Sequence, residues 1–360
     1  MELLINQKIS NSVLMLGVYY KNSAPGGMAA VIQYYSRYFS HLNYIPTWRL
    51  GTPVTKLYYF ASGYVKTLWC MLFDRKIRIV HIHTAADTSF WRKMVFVHLA
   101  KYFKKKVIIH IHASRFKDFY NESNNKEQIR RDIMQADKLV VLSRSWKEWF
   151  CNIGIPEKHI AVLNNIIDYP NTSIPKENLN IPTRMLFMGE IGDRKGIFDI
   201  LKALCRDRYY YNGKLEFRIG GNRNEQQLSA FIKENDLTDF VKFEGWVTGV
   251  KKIQLLTWAN VFVLPSYNEG LPISILEAMS YECAVIASPV GGIPEVVHNG
   301  ENGIIVQPGD IDGIETAIKE MVDSQDLVKQ YGRMGISIVK PYLPNQVFSD
   351  LIDIYKELLW

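Results

Sequence analysis

Short apolar runs that stop at a polar, glycine-bearing loop and restart as a helix recur along this chain. The sharpest instance spans residues 260–279. NVFVL reads as a buried strand, and PSYNEGLPISILEAM follows it. The break at residues 266–270 contains Gly270, and Pro272 opens a helix read as amphipathic. Proline suits a first helical position because the missing N–H would be unpaired there anyway. Strand, loop and helix in this order specify an α/β fold with a parallel sheet. In such sheets anions settle at the loop, where free backbone N–H groups and the positive end of the helix dipole converge.

Two carboxylates bracket this loop, Glu269 and Glu277, eight residues apart. Were both helical they would stand about 12 Å apart along the axis. A hydrolytic pair flanks one bond at roughly 5–9.5 Å. The spacing suits two hydroxyl-binding groups along an extended ligand. It suits equally an exposed helix residue and a loop charge.

The stretch closely resembles the Glu–seven–Glu motif of the retaining, nucleotide-sugar-dependent glycosyltransferases of the GT-B fold (family 4-like, group 1). AVIASPVGGIPE at residues 284–295, NGENG at 299–303 and PGD at 308–310 follow in the order of that family's donor-binding half. The resemblance implies two Rossmann-like domains facing a cleft, with the last helix crossing back to the first domain. It implies that Glu269 binds donor-sugar hydroxyls and Glu277 the ribose. The backbone of Gly270, Leu271, Pro272 and Ile273 would lie along the donor.

The 360 residues suit two domains. Expected boundaries are 1–168 for an acceptor domain, 169–340 for a donor domain and 341–360 for the returning helix, with a polar, proline-bearing linker at 170–182. No run reaches the ~20 apolar residues of a membrane span. The start lacks a basic leader and a small-residue cleavage site, and reads as a first strand. Cys70, Cys151, Cys205 and Cys283 are scattered and form no metal-ligand pair, so the expected location is the cytoplasm, without structural zinc. Residues 1–168 hold 24 Lys and Arg against 11 Asp and Glu, a balance of +13. The remainder holds 19 against 25. A basic first half beside an acidic second half points to an anionic partner for the first: a membrane surface, a phosphorylated acceptor or nucleic acid.

In the first half, SVLMLGVYY at residues 12–20 reads as strand and residues 28–40 as helix, with Gly26 and Gly27 in the turn. This is not the G-x-G-x-x-G of a dinucleotide site. In the GT-B family a Gly-Gly loop here lets backbone approach the donor diphosphate and acceptor, which makes Gly26 and Gly27 candidates. RIVHIH at 78–83 and KVIIHIH at 106–112 read as the next strands, each ending in H-x-H. Alternation puts His81 with His83, and His110 with His112, on one face. Without nearby acidic or thiol ligands, packing is favoured over metal for His81, His83 and His110. His112 fits the family histidine that contacts the donor sugar. FWRKMVFVHLAKYFKKK at 90–106 is a basic, aromatic helix, and residues 57–73 are also aromatic-rich. Such helices can lie on an anionic bilayer or pack on the sheet.

In the second half, TRMLFMG at 183–189 starts a new sheet and GEIGDRKG leads to a helix from residue 197. The family carries Gly-Arg and then Lys-Gly here. Lys195 and Gly196 match, Glu190 replaces the arginine, and Arg194 is placed to supply the second cation. A cation here stabilises the diphosphate as the sugar bond breaks. LEFRIGG at 215–221 and VKFEG at 241–245 read as further strands, and residues 311–323 as helix.

The reading is a hexosyl-type glycosyltransferase moving a sugar from a UDP or GDP sugar to a glycan or lipid-linked acceptor of bacterial surface polysaccharide or lipopolysaccharide assembly. Lys195, Arg194, Glu269 and His112 form the expected catalytic set. No metal or other cofactor is expected. The anticipated location is cytoplasmic and peripheral on the inner face of the membrane. No nucleic-acid partner is implied, and the oligomeric state stays open. Two further readings stand beside it: a nucleotide-sugar 2-epimerase of the same architecture, and a non-catalytic nucleotide-sugar-binding subunit, the latter because of Glu190.

Overall fold

The computed structural model describes residues 3–21, 26–170 and 182–360. The linker expected at 170–182 therefore falls almost wholly outside the described residues. The chain divides into two compact units, Met1–Ile166 with Tyr342–Trp360, and Ile167–Pro341.

The first unit holds strands β1 (Val13–Val18), β2 (Tyr44–Trp48), β3 (Ile79–Thr84), β4 (Lys106–Ile111), β5 (Lys138–Val141) and β6 (Ile160–Val162). They form one sheet in the order β2-β1-β3-β4-β5-β6, with every pair parallel. Parallel sheets are covered on both faces, which is why β3 is buried at all six positions. β2 is an unforeseen strand. It contains Pro46, which cannot donate to a ladder and is tolerated because β2 lies at the sheet edge.

Of the two placements left open for the Thr88–Tyr102 helix, bilayer contact or packing, its apolar residues take the second. Phe90, Lys93, Met94, Phe96, Val97 and Ala100 are buried. Even its lysine is internal: Lys93 Nζ donates to Thr47 Oγ1 and to Gly17 O at 3.4 Å. Burial, reinforced by Arg92, lowers the Lys93 pKa to about 7.

The second unit holds β7 (Thr183–Ile191), β8 (Leu215–Arg223), β9 (Val241–Gly245), β10 (Val261–Leu264), β11 (Ala284–Ala287) and β12 (Gly303–Ile305). This sheet is also parallel throughout, in the order β12-β11-β10-β7-β8-β9. From β7 the chain adds β8 and β9 on one side, then crosses to build β10 to β12 on the other. The β7–β10 seam is therefore the point where strand order reverses, and in open α/β sheets ligands bind outside the strand ends at that point. The Ile311–Asp323 helix is capped by Asp310, whose Oδ1 accepts from Gly313 N at 2.9 Å. The Gln325–Val339 helix was not anticipated.

The Pro344–Leu359 helix returns to the first unit. Phe348, fully buried, packs its ring against Tyr35, Tyr38 and Phe39 at 5.2–6.0 Å between centroids. Lys138 Nζ donates to Glu357 Oε1 at 2.6 Å. Removing the Phe348 ring leaves a cavity under three aromatic side chains. Phe348→Ala is expected to lower first-unit stability by about 3–5 kcal/mol, read as a fall in the urea midpoint of that unit.

Candidate functional site

In the second unit, the loops after β7 and β10 are knitted together. Tyr267 N donates to Arg194 O at 2.9 Å, and Arg194 Nη1 donates to Asn268 O at 3.2 Å. Gly196 adopts φ 71°, and a Cβ there would strike the Pro265 carbonyl. Gly291, at φ 59°, lies so close that a Cβ would strike the Glu269 carbonyl oxygen. The segment after β11 thus closes over residues 269–270, with Gly292 N donating to Gly270 O.

Glu269 is only 7% exposed. Its Oε1 accepts from Lys195 Nζ, and Arg194 Nη1 stands 3.9 Å away. Glu277 is 8% exposed, and its Oε1 accepts from Lys252 Nζ at 2.6 Å. Neither carboxylate is an ordinary surface charge, and each has its own lysine. The helix between them runs Ile273–Ser280, with Pro272 as the cap residue rather than the first helical residue. It is not amphipathic: Ile275 through Ser280 are all buried, because it passes through the second unit's core. Gly270, Leu271 and Pro272 precede its N-terminus, and Ile273 opens it.

Glu190 does not leave a charge vacancy. It sits at the end of β7, accepting from Arg194 Nη2 at 3.3 Å and Arg223 Nη1 at 2.7 Å. Glu190 thereby ties together two arginines, one of them Arg194, the neighbour of Lys195 in the chain. Arg223 and Lys252 were missed from the sequence. Arg223 lies two residues past the run read as strand, at φ 80°. Lys252 is 25 residues from its partner, on the Gly249–Trp258 helix, so no local pattern joins them.

In the first unit, Gly26 at φ 111° precedes the Gly27–Tyr38 helix, and both glycines are exposed. His112 lies just beyond β4, its N–H donating to Thr84 O at 2.9 Å. It ends a ladder of imidazoles. His112 Nε2 is 2.9 Å from His83 Nδ1, and His81 Nε2 is 3.2 Å from His110 Nδ1. His81 Nδ1 is 2.8 Å from the Tyr355 hydroxyl. Burial holds His81 and His112 down to about 3, and holds His83 and His110 well below the usual imidazole value. All four are neutral at pH 7, so His112 offers hydrogen bonds rather than charge. One nitrogen each of His81, His83 and His110 lie within 4.8 Å of one another. That trio contains no anion, and Lys93 adds positive potential at His83, both unfavourable to a buried cation.

Lys195, Arg194, Glu269, Gly270, Leu271, Pro272, Ile273 and Glu277 all belong to the second unit. His112, Gly26 and Gly27 belong to the first.

Two protein families match the chain: "Glycosyl transferases group 1" over residues 172–337 and "Glycosyltransferase Family 4" over residues 26–169. An uncharacterised glycosyltransferase of Methanocaldococcus jannaschii is 26% identical over 66% of this chain and 64% of its own length. The amylovoran biosynthesis glycosyltransferase AmsK of Erwinia amylovora is 29% identical over 52% of this chain and 47% of its own. The chain thus spans about half to two thirds of these relatives. Among solved structures, HepE of Anabaena in complex with UDP-glucose superposes with a TM-score of 0.72, 15% identity, and coverage of 96% of this chain and 99% of that one.

The histidine ladder sets an acid limit. Imidazoles kept neutral in the fold take up protons only on unfolding. Stability is therefore complete above the unfolded value near 6.5 and falls as pH drops toward about 3. Each such imidazole is expected to cost up to about 1.4 kcal/mol per pH unit in that window. Urea midpoints of the first unit at pH 7.5 and pH 5.5 measure this; equal midpoints would mean that the ladder is charged when folded.

Proposed function

The chain belongs to the group 1 glycosyltransferases of the GT-B fold, and from that premise we propose that it moves a sugar from a nucleoside diphosphate sugar to an acceptor hydroxyl with retention at the anomeric carbon. The observation that carries this reading is the Lys195–Glu269 pair at the ends of β7 and β10, beside the N-terminus of the Ile273–Ser280 helix. A sugar diphosphate offers hydroxyls to the carboxylate and negative charge to the cations and backbone N–H groups.

In the proposed reaction the bond from the anomeric carbon to the diphosphate oxygen breaks, and its electron pair leaves with the phosphate. Lys195 and Arg194 stabilise that charge. The acceptor hydroxyl attacks on the same face, and its proton passes to the departing phosphate oxygen. Glu269 holds sugar hydroxyls. Glu277, oriented by Lys252, holds the ribose. His112 is assigned a sugar hydroxyl, and the backbone at Gly26 and Gly27 the diphosphate and acceptor. The proposed chemistry uses no metal. HepE's complex with UDP-glucose supports a UDP donor, with GDP the other class in view. AmsK's part in amylovoran biosynthesis supports a role in polysaccharide assembly, and the proposed acceptor is a glycan or lipid-linked one of a bacterial surface polysaccharide, reached from the cytoplasm at the membrane face.

Lys195→Ala is expected to lower kcat/KM at least about a hundredfold, the scale for losing one preorganised charge contact, and to lower the unliganded melting temperature as well, because it leaves the Glu269 carboxylate buried without its lysine. Glu269→Gln, which keeps the shape, is expected to lose turnover comparably. Before either, UDP, GDP and ADP are compared in thermal shift, with and without EDTA. One nucleotide at about a hundredfold over Kd is expected to stabilise the fold by ~2.7 kcal/mol, unchanged by EDTA. No shift with any nucleotide would sink the donor assignment. Conversion of the donor to its 2-epimer without acceptor would replace transfer by epimerisation.

A further inference from the structure

The Pro53–Phe73 helix is the most unusual surface element among the described residues. It has 21 residues, yet its buried side chains are only Gly63, Thr67 and Met71. They face β2, the edge strand. The absence of a side chain at Gly63 brings the helix close, since a Cβ there would already touch Thr47 and the Pro46 carbonyl oxygen at 3.1–3.3 Å. Thr67 satisfies its hydroxyl on Gly63 O at 2.8 Å. The docking face combines Gly63 and Thr67 with Met71 and the half-buried Phe60 and Tyr64, whose rings pack on Phe96.

The opposite face is apolar and open. Val54, Leu57, Tyr58, Val65, Trp69, Leu72 and Phe73 are each 53–77% exposed. At 100° per residue, positions 54, 57, 58, 61, 65, 69, 72 and 73 form one continuous stripe along the whole helix. Isolated exposed apolar residues need no explanation, but a contiguous stripe of this kind marks a surface that is covered in use.

We propose that this stripe is a bilayer-docking surface: the Pro53–Phe73 helix lies in the plane of an anionic leaflet, with its apolar side chains among the upper acyl chains. Charge selects the occupant. The helix contains no Asp or Glu, and Lys56 and Lys66 rise from it. Arg49 precedes it and Arg75, Lys76 and Arg78 follow, against one acid, Asp74. Two copies of this face pressed together would oppose cation to cation with almost no acid to neutralise them. Anionic headgroups supply the missing charge. Tyr58 and Trp69 are the side chains that settle at a membrane–water boundary, with an apolar ring inside and a polar edge outside. The helix does not span: no helix among the described residues is long and apolar enough to cross a membrane. An amphipathic helix with cations beside an aromatic stripe lies on the surface instead. The sequence pointed equally to the Thr88–Tyr102 helix, but that helix spends its apolar residues on the core.

This inference deepens the membrane-face acceptor proposed above and rests on that reading for its biological purpose. The docking itself needs neither donor nor acceptor, so the two fail separately. Its test is flotation of the full chain with vesicles of phosphatidylcholine alone or with about 30% phosphatidylglycerol, an anionic content that gives the surface potential invoked here. The wild type is expected to float with the anionic vesicles, and at least about tenfold less with neutral ones or in ~1 M salt, where the Debye length shrinks to about 3 Å. The triple variant L57S/V65S/W69S changes only exposed side chains. It is expected to lose binding at least about tenfold while keeping the melting temperature and the nucleotide-induced shift. K56E/K66E is expected to lose the anionic preference. No flotation with anionic vesicles, or equal flotation of the triple variant, overturns the proposal. So does a wild-type dimer in light scattering that the triple variant dissolves without any vesicle binding, since the stripe would then be covered by a second copy. Flotation without any nucleotide shift would keep the docking surface and sink the donor reading instead.

Discussion

A carboxylate removed from water needs a cation beside it, and much of the second unit is arranged around meeting that need twice. Glu269 and Glu277 stand on either side of one buried helix N-terminus, with Lys195 and Lys252 brought to them from elements distant in sequence. The Lys195–Glu269 pair forms because β7 and β10 are neighbours, so the strand order and that charge pairing presuppose each other. Glycines at 196 and 291 remove the atoms that would hold the loops apart. A buried ion pair contributes little net stability compared with an apolar pair of the same shape. What it supplies here is two lysines and two carboxylates in fixed positions.

The fold was legible because parallel strands buried on both faces leave continuous apolar runs. VKFEG and the helix over residues 311–323 fall where they were read. β2 was hidden by Pro46, whose effect depends on an edge position that no local signal reveals. The Ile273–Ser280 helix was misread as amphipathic because Glu277 and its serines imitate a polar face, whereas the structure buries Glu277 and Ser280 and half-buries Ser274. Glu190 shows the limit most clearly. Along the sequence it is a lost arginine; in space it joins Arg194, four residues away, to Arg223, thirty-three away. The roles assigned to Gly26, Gly27 and His112 came from resemblance, and no periodicity could have supplied them.

The first unit departs from the usual division between an apolar interior and a polar exterior in both directions. Inside are three buried imidazoles, a half-buried fourth and a lysine, and the ladder's hydrogen bonds run to histidine and tyrosine rather than to a carboxylate; outside is an apolar stripe seven bulky residues long. The interior groups are tolerated because burial neutralises the histidines, while Lys93 finds the Gly17 carbonyl and the Thr47 hydroxyl. The exterior stripe has no comparable compensation within the unit, and the flanking charges point to where it is found.

The first unit is also discontinuous along the chain, which gives it a history as well as a shape. A ribosome releases residues 1–166 first, then the whole of the second unit, and only then the segment that carries Phe348 and Tyr355. At about 5–20 residues per second, residues 1–166, once made, wait on the order of ten to thirty-five seconds for the ring that covers Tyr35, Tyr38 and Phe39. His81 waits as long for its hydroxyl partner. Through that interval the nascent first unit carries an open aromatic seam, and its folding is closed by residues made only after the whole of the second unit.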